Sequence, residues 1–299
     1  MIKHFINLND LSNYDLTQII KQAIKLKEQY KSGKINKALE NKTLAMIFDK
    51  SSTRTRVSFE AGMTQLGGRA LFLSDKDIQL GRGEPIIDSA IVISSMVDAI
   101  MIRVSSHEDI QTFSEHSSVP IINALSDESH PCQLLADMMT YQEYNGSIAN
   151  KTVAWIGDGN NMCHTYIQAA KSFNFKLNIA APKNYQPNQS FIEKYANHIH
   201  LFTDIKTACK EVDLIVTDVW ASMGQETEQI KREIAFKDFQ VDTVLMSKAK
   251  PTAVFMHCLP AHRGKEVSAN VIDSNQSLVW SEAENRLHVQ KALLLYLLN

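Results

Sequence analysis

The sequence predicts an α/β protein of two domains, each with a central parallel sheet flanked by helices. Three observations carry this. Short apolar runs alternate with segments of helical periodicity along most of the chain, the pattern of βα units. The alternation starts afresh near Thr152. The 299 residues suffice for two domains of ordinary size.

In order, Asp15 to Tyr30 places Leu16, Ile19, Ile20, Ala23, Ile24 and Leu26 mostly on one helical face. A turn rich in Lys, Asn and Gly follows. Leu44 to Phe48 reads as a strand, and a helix begins near Val57 and stops at Gly67-Gly68. Residues 70–73 read as a strand and 74–85 as a polar, glycine-containing loop. A helix at 87–97, a strand at 99–103, a helix at 107–116 and a strand at 119–123 complete the first half. A further helix starts after Pro131, and the domain boundary is placed along it: residues 1–138 and 139–282.

The second half opens with a strand at 152–156 that leads into Gly157-Asp158-Gly159. Helix 163–173, strand 176–181, a proline-bounded turn, helix 190–197, strand 199–202, helix 205–211 and strand 214–217 follow. Residues 254–257 form another strand, and Ala283 to Leu298 a last helix, apolar on one side.

An apolar content of 44% builds full cores, and 21% charged residues is typical of a water-soluble protein. The net charge of −2 points to neither nucleic acid nor an anionic membrane. No run of 18 apolar residues occurs, and the N-terminus lacks a signal-peptide pattern. Cys132, Cys163, Cys209 and Cys258 form no Cys-x2-Cys pair, which fits free thiols in a reducing cytoplasm.

The densest chemical signal is Ser51-Ser52-Thr53-Arg54-Thr55-Arg56, placed where a strand gives way to a helix. Unpaired N–H groups and the macrodipole at a helix start favour an anion, and Arg adds a fork matching two phosphate oxygens. The plainer reading, a Ser/Thr cap with solvated arginines, suits a sparser run. Arg56 lies two residues from Arg54, about 200° around a helix, so a structural ion pair is expected for it. It is not a P-loop, because Gly-x4-Gly-Lys-Ser/Thr is absent. Ligands in open α/β sheets gather at the carboxyl ends of strands. Four more polar clusters stand at or after such ends: Arg103, His130-Pro131-Cys132-Gln133, Asp218 to Gly224, and His257-Cys258-Leu259-Pro260.

Taken singly, His130 reads as a turn residue, Cys132 and Cys258 as packing, Asn161 as a helix cap, and Trp155 and Trp220 as core. His257, Cys258 and His262 match no common zinc spacing, so no metal is expected. Gly157-Asp158-Gly159 lacks the third glycine and the downstream acid of a dinucleotide site.

Together, Ser52-Thr53-Arg54-Thr55-Arg56, His130-Pro131-Cys132-Gln133, Asp218 with Ser222-Met223-Gly224, His257-Cys258-Leu259-Pro260 and Glu282-Ala283-Glu284-Asn285-Arg286 resemble the signature set of the ornithine carbamoyltransferases. The first two motifs are shared with the aspartate carbamoyltransferases; the Asp-x3-Ser-Met-Gly and His-Cys-Leu-Pro motifs point to ornithine. The resemblance spans essentially the whole chain. It implies a catalytic site in the cleft between the domains and a last helix, about 283–299, returning to the first domain. It implies that Ser52, Thr53, Arg54, Thr55, Gln79, Arg103, His130, Gln133, Leu259 and Arg286 bind carbamoyl phosphate. Asn161, Asp218, Ser222 and Met223 then bind L-ornithine, and Arg103, His130 and Cys258 act in catalysis. It further implies a cytoplasmic homotrimer in arginine biosynthesis, with Gln79 serving a neighbouring subunit, and no cofactor. The alternatives are a sister enzyme with aspartate, N-acetylornithine or putrescine as acceptor, a non-catalytic carbamoyl phosphate-binding homologue and, remotely, a nicotinamide oxidoreductase.

Overall fold

The computed structural model describes residues 2–74, 83–221 and 228–299. The chain divides into two compact units, residues 1–139 with 284–299, and 140–283. Both chain crossings fall inside helices.

Unit 1 contains α1 (Asn13–Lys31), β1 (Thr43–Phe48), α2 (Thr53–Gln65), β2 (Arg69–Ser74), α3 (Ile86–Ser94), β3 (Ala99–Arg103), α4 (His107–His116) and β4 (Ile121–Leu125). Helix α5 (Pro131–Asn145) leads out of it. The four strands are parallel in the order β2-β1-β3-β4. β1 and β3 are central and buried on both faces, which is why each reads as a continuous apolar run. β2 lies at the edge and is half-exposed. One face of the sheet packs Ala45, Ile47, Ile100 and Ile102 against Ala90, Ile110 and Phe113. Each Ile or Phe side chain among these, fully buried, contributes about 1.5–3 kcal/mol, and each Ala less.

Unit 2 contains β5 (Thr152–Ile156), α6 (Asn161–Ser172), β6 (Lys176–Ala180), α7 (Gln189–Lys194), β7 (Ile199–Phe202), α8 (Ile205–Ala208) and β8 (Leu214–Thr217). The short helices α9 (Gln229–Ala235) and α10 (Thr243–Met246), the strand β9 (Val254–His257) and α11 (Ala269–Ile272) follow. Its strands are parallel in the order β7-β6-β5-β8-β9. The core joins Ala154, Ile156, Ile215 and Phe255 to Val241, Leu245, Val267 and Val271.

The last helix, α12 (Val279–Leu298), returns to unit 1. Lys291 Nζ donates to Gln65 Oε1 at 2.8 Å on α2, and Lys27 Nζ on α1 donates to Asn285 Oδ1 at 2.8 Å. The helix differs from its expected one-sided character: His288 through Leu295 are buried on every face. A helix enclosed on all sides has no solvent stripe to keep polar.

Several element bounds also differ. α2 starts at Thr53 rather than near Val57, because Ser52 caps it and its first turn is polar. β4 lies two residues later than expected, α8 is shorter, and α9, α10 and α11 went unread because each is too brief to show a period.

Candidate active site

Strand order reverses between β1 and β3 in unit 1, and between β5 and β8 in unit 2. Such switch points open a crevice at the carboxyl ends of the strands. The candidate residues stand at both.

In unit 1, Ser52 is the N-cap of α2, and its hydroxyl accepts from Thr55 N–H at 3.4 Å. Thr53 is exposed and Arg54 half-buried on the first turn. Thr55 is fully buried, and its hydroxyl oxygen gathers three donors: Ser52 Oγ at 3.0 Å, Arg103 Nη1 at 3.4 Å and Arg286 Nη2 at 2.8 Å. One neutral oxygen thus holds two guanidiniums from β3 and α12 at the start of α2. Arg56 takes the structural place its spacing predicts, pairing with Glu60 at 3.3 Å and lying 4.0 Å from the Phe72 ring centre.

His130 is buried just before Pro131, which opens α5 at the position where a missing N–H is harmless. Burial, and then the charges of Arg286, Arg103 and Arg54, hold its pKa well below the ordinary histidine value. It is therefore a neutral imidazole among cations. Gln133 donates from Nε2 to Asp137 Oδ1 at 2.9 Å, turning Oε1 to the opposite side of the amide. Cys132 is buried, its thiol pushed up to about 12 and donating to Asn123 O at 3.4 Å; it is packing, as its chemistry suggests.

In unit 2, Asp218 follows β8 and is buried. Its Oδ2 accepts from Asn160 Nδ2 at 2.8 Å; its Oδ1 accepts from Val219 N–H at 2.8 Å and from the Cys258 thiol at 3.2 Å. Asn160 also caps α6, accepting from Met162 and Cys163 N–H. The sequence points to Asn161, whereas the structure brings Asn160 to Asp218. In an Asn-Asn pair only the backbone conformation decides which residue is the cap, and Asn161 sits one place inside, its Oδ1 accepting from Met162 N–H at 2.9 Å.

Asp158 stands between the two glycines of that turn. It is buried and paired with Arg232 Nη1 at 2.7 Å, and Arg232 donates also to Trp220 O at 2.9 Å. Burial, and to a lesser degree the charge of Asp218, raise the Asp158 pKa to about 6 against the pull of Arg232. The two glycines have structural causes. Gly157 has φ +135°, and a Cβ on Gly159 would lie 2.2 Å from Pro187 N, so that turn passes only over a glycine.

Cys258 is half-buried beyond β9, and Leu259 has φ +57°. Asp218, His257 and Cys258 bring ligand atoms within 4.8 Å of one another. Their atoms already serve the fold: His257 Nδ1 accepts from Leu259 N–H at 2.9 Å, Nε2 lies 3.2 Å from Glu266 Oε1, and the thiol donates to Asp218. His262, the third member of the trio considered from sequence, has a largely exposed side chain. Gln79, Ser222 and Met223 lie outside the described residues.

The arrangement can bind an anion with a polarisable carbonyl in unit 1 and an amine in unit 2. Comparison with known proteins identifies both parts of the chain. Residues 3–143 match the aspartate/ornithine carbamoyltransferase carbamoyl-P binding domain, and residues 149–297 match the Asp/Orn binding domain. An ornithine carbamoyltransferase of Ruthia magnifica is 86% identical over 299 residues, covering 100% of both chains. Among solved structures, ornithine carbamoyltransferase from Burkholderia thailandensis aligns with a TM-score of 0.93 at 51% identity, over 99% of each chain. The anabolic ornithine carbamoyltransferase of Campylobacter jejuni aligns with a TM-score of 0.93 at 43% identity, over 99% of each chain. Matched by family models along nearly its whole length, the chain belongs to the aspartate/ornithine carbamoyltransferase family.

Proposed function

We propose that this enzyme transfers the carbamoyl group of carbamoyl phosphate to the δ-amine of L-ornithine, giving L-citrulline and phosphate. The observation that carries the reading is the division of labour at the two switch points: guanidiniums and a helix start in unit 1, a carboxylate and a thiol in unit 2.

On this reading residues 1–138 with 283–299 serve the donor, and 139–282 serve the acceptor. The start of α2, with Ser52, Thr53, Arg54 and Thr55, binds the phosphate. Arg103, Arg286 and neutral His130 draw charge onto the carbonyl oxygen as the carbon becomes tetrahedral, the step at which fixed donors help most. Gln133 Oε1 and the Leu259 carbonyl hold the carbamoyl nitrogen. Asp218 binds the α-ammonium of ornithine, and Asn161, Ser222 and Met223 its carboxylate end. Cys258 orients the δ-amine. A free amine of pKa ~10.4 is mostly protonated at neutral pH, so the site must select its neutral form. The nitrogen lone pair then forms the new C–N bond, the C–O bond to phosphate breaks, and the departing phosphate accepts the amine proton. No separate general base is required.

The proposal extends to a cytoplasmic homotrimer in arginine biosynthesis. The exposed apolar residues Val57, Leu71, Ile87, Ile91, Val92 and Met96, on α2, on the edge strand β2, and on or just after α3, favour subunit contact. Gln79 then completes a neighbour's site, so a monomeric variant loses most activity. Carbamoyl phosphate binds before ornithine. The test is citrulline formation, with L-aspartate, N-acetylornithine and putrescine as parallel acceptors. Product with ornithine alone upholds the reading, and product with another acceptor overturns the acceptor assignment. Carbamoyl phosphate binding with no product from any acceptor overturns the enzyme itself.

A further inference from the structure

Helix α5 begins at Pro131, directly after His130, and the turn before it, residues 126–129, is braced from behind. Ser126 N–H donates to Ser129 O at 2.9 Å, and Ser129 N–H donates back to Ser126 Oγ at 3.2 Å, so one serine closes the turn at both ends. Asp127 N–H ties the same turn to Ser105 O at 2.9 Å. Ser126 and Ser129 are both 0% exposed. The Ser126 hydroxyl is itself held by the buried ring of His107, at the start of α4: Nδ1 lies 2.8 Å from Ser126 Oγ. On the other side of that ring, Asn7 Nδ2 lies 3.3 Å from Nε2. An amide nitrogen can only donate, so Nε2 is the acceptor there and Nδ1–H donates to Ser126. The residue before a proline is confined to extended backbone. With Ser129 held on one side and Pro131 on the other, the turn sets the direction in which His130 leaves the chain.

We propose that His107 is a positioning residue for the carbamoyl phosphate half of the reaction: through Ser126 it locks the 126–129 turn and thereby aims the His130 ring. The inference rests on the function proposed above. What His107 must supply is one N–H donor at the Nδ1 position. A histidine that only filled space beside α4 would need none. On this reading His130 serves the carbonyl and the start of α2 serves the phosphate, so the two ends of carbamoyl phosphate respond differently when the turn is released.

Three variants of the full chain test this: His107→Asn, His107→Gln and Ser126→Ala. Asparagine places an amide N–H where Nδ1 stands. Glutamine carries its amide to where Nε2 stands, so it reaches Asn7 and not Ser126. Alanine removes the shared oxygen. The expected kcat for citrulline is within about threefold of the parent for H107N and about tenfold or more lower for H107Q and S126A, the scale of a misplaced catalytic group. By calorimetry, H107Q and S126A should bind carbamoyl phosphate several-fold more weakly, with the affinity for inorganic phosphate unchanged. Amide hydrogen exchange across residues 126–130 should quicken in H107Q and S126A only. If S126A does not fold, H107Q carries the comparison. The proposal falls if H107Q or a folded S126A turns over within about threefold of the parent, well short of the loss expected of a misplaced group. It falls equally if H107N is as impaired as H107Q, which would mean that the ring and not its donor matters. Loss of inorganic phosphate affinity in step with that for carbamoyl phosphate would also overturn it, since that marks a general loosening of unit 1. If the parent makes no citrulline the functional reading fails, and the exchange rates alone then decide whether His107 locks the turn.

Discussion

In unit 1 the ends of β1 and β3, with α12, gather Arg54, Arg103 and Arg286 about His130. In unit 2 the ends of β5, β8 and β9 gather Asp158 and Asp218 with Asn160 and Cys258. Both units use a parallel sheet with a switch point, so the sheet supplies the place and the strand-end residues supply the sign of charge. The two also stabilise themselves differently. Like charges in unit 1 are held by one buried hydroxyl, Thr55, and by keeping His130 neutral. The acids of unit 2 are satisfied by a cation at Asp158 and by an amide, a backbone N–H and a thiol at Asp218.

The largest way to break this contrast is Arg103→Met. Loss of a donor aimed at developing charge lowers kcat by roughly 10²–10³, read from citrulline formation at saturating ornithine, with ornithine affinity little changed. A loss spread equally over both substrates would contradict the partition. Next comes Asp218→Asn, which removes a charged partner worth about 1.5–3 kcal/mol. That is roughly a 10–150-fold rise in KM for ornithine, with carbamoyl phosphate binding by calorimetry unmoved. Thr55→Val is smaller. It keeps the shape but removes the oxygen that two guanidiniums share, for roughly a tenfold loss in carbamoyl phosphate affinity.

The smallest effect concerns pH and sharpens the same comparison. His130 and His288, both in unit 1, have pKa values lowered by burial and by neighbouring cations, His288 to about 4. Between about 6.5 and 4 the unfolded chain binds more protons than the folded one at these sites, so stability falls with acidification. Asp158 in unit 2 is raised to about 6, so there the folded form binds more protons and stability increases as pH falls from about 6 toward 4. Unit 1 should therefore loosen first. Trp155, Trp220 and Trp280 all lie in unit 2. In moderate urea at pH 5, loss of far-UV circular dichroism should precede the change in tryptophan fluorescence, and His288→Leu should narrow the gap. Coincident transitions in the parent would contradict this.

Legibility followed burial. β5, β8 and α4 stand where sequence placed them, because a strand inside a sheet is a bounded apolar run and a surface helix alternates faces. The start of α2 was placed late because a polar first turn has no apolar period. Asn160 was hidden beside Asn161, and Glu266 in a charged turn gave no sign that it would be buried.

The order of residues by itself determined the α/β class, the polar clusters at the strand ends and their chemistry, because these depend on periodicity and residue type within a few positions. Only the tertiary structure decided which clusters meet. Strand order places the end of β1 beside that of β3, and the end of β5 beside that of β8. Arg286 reaches Thr55 across 231 positions, and Cys258 reaches Asp218 across 40. A hydrogen bond needs its partners within about 3 Å and aligned, and no local pattern along the chain encodes that approach.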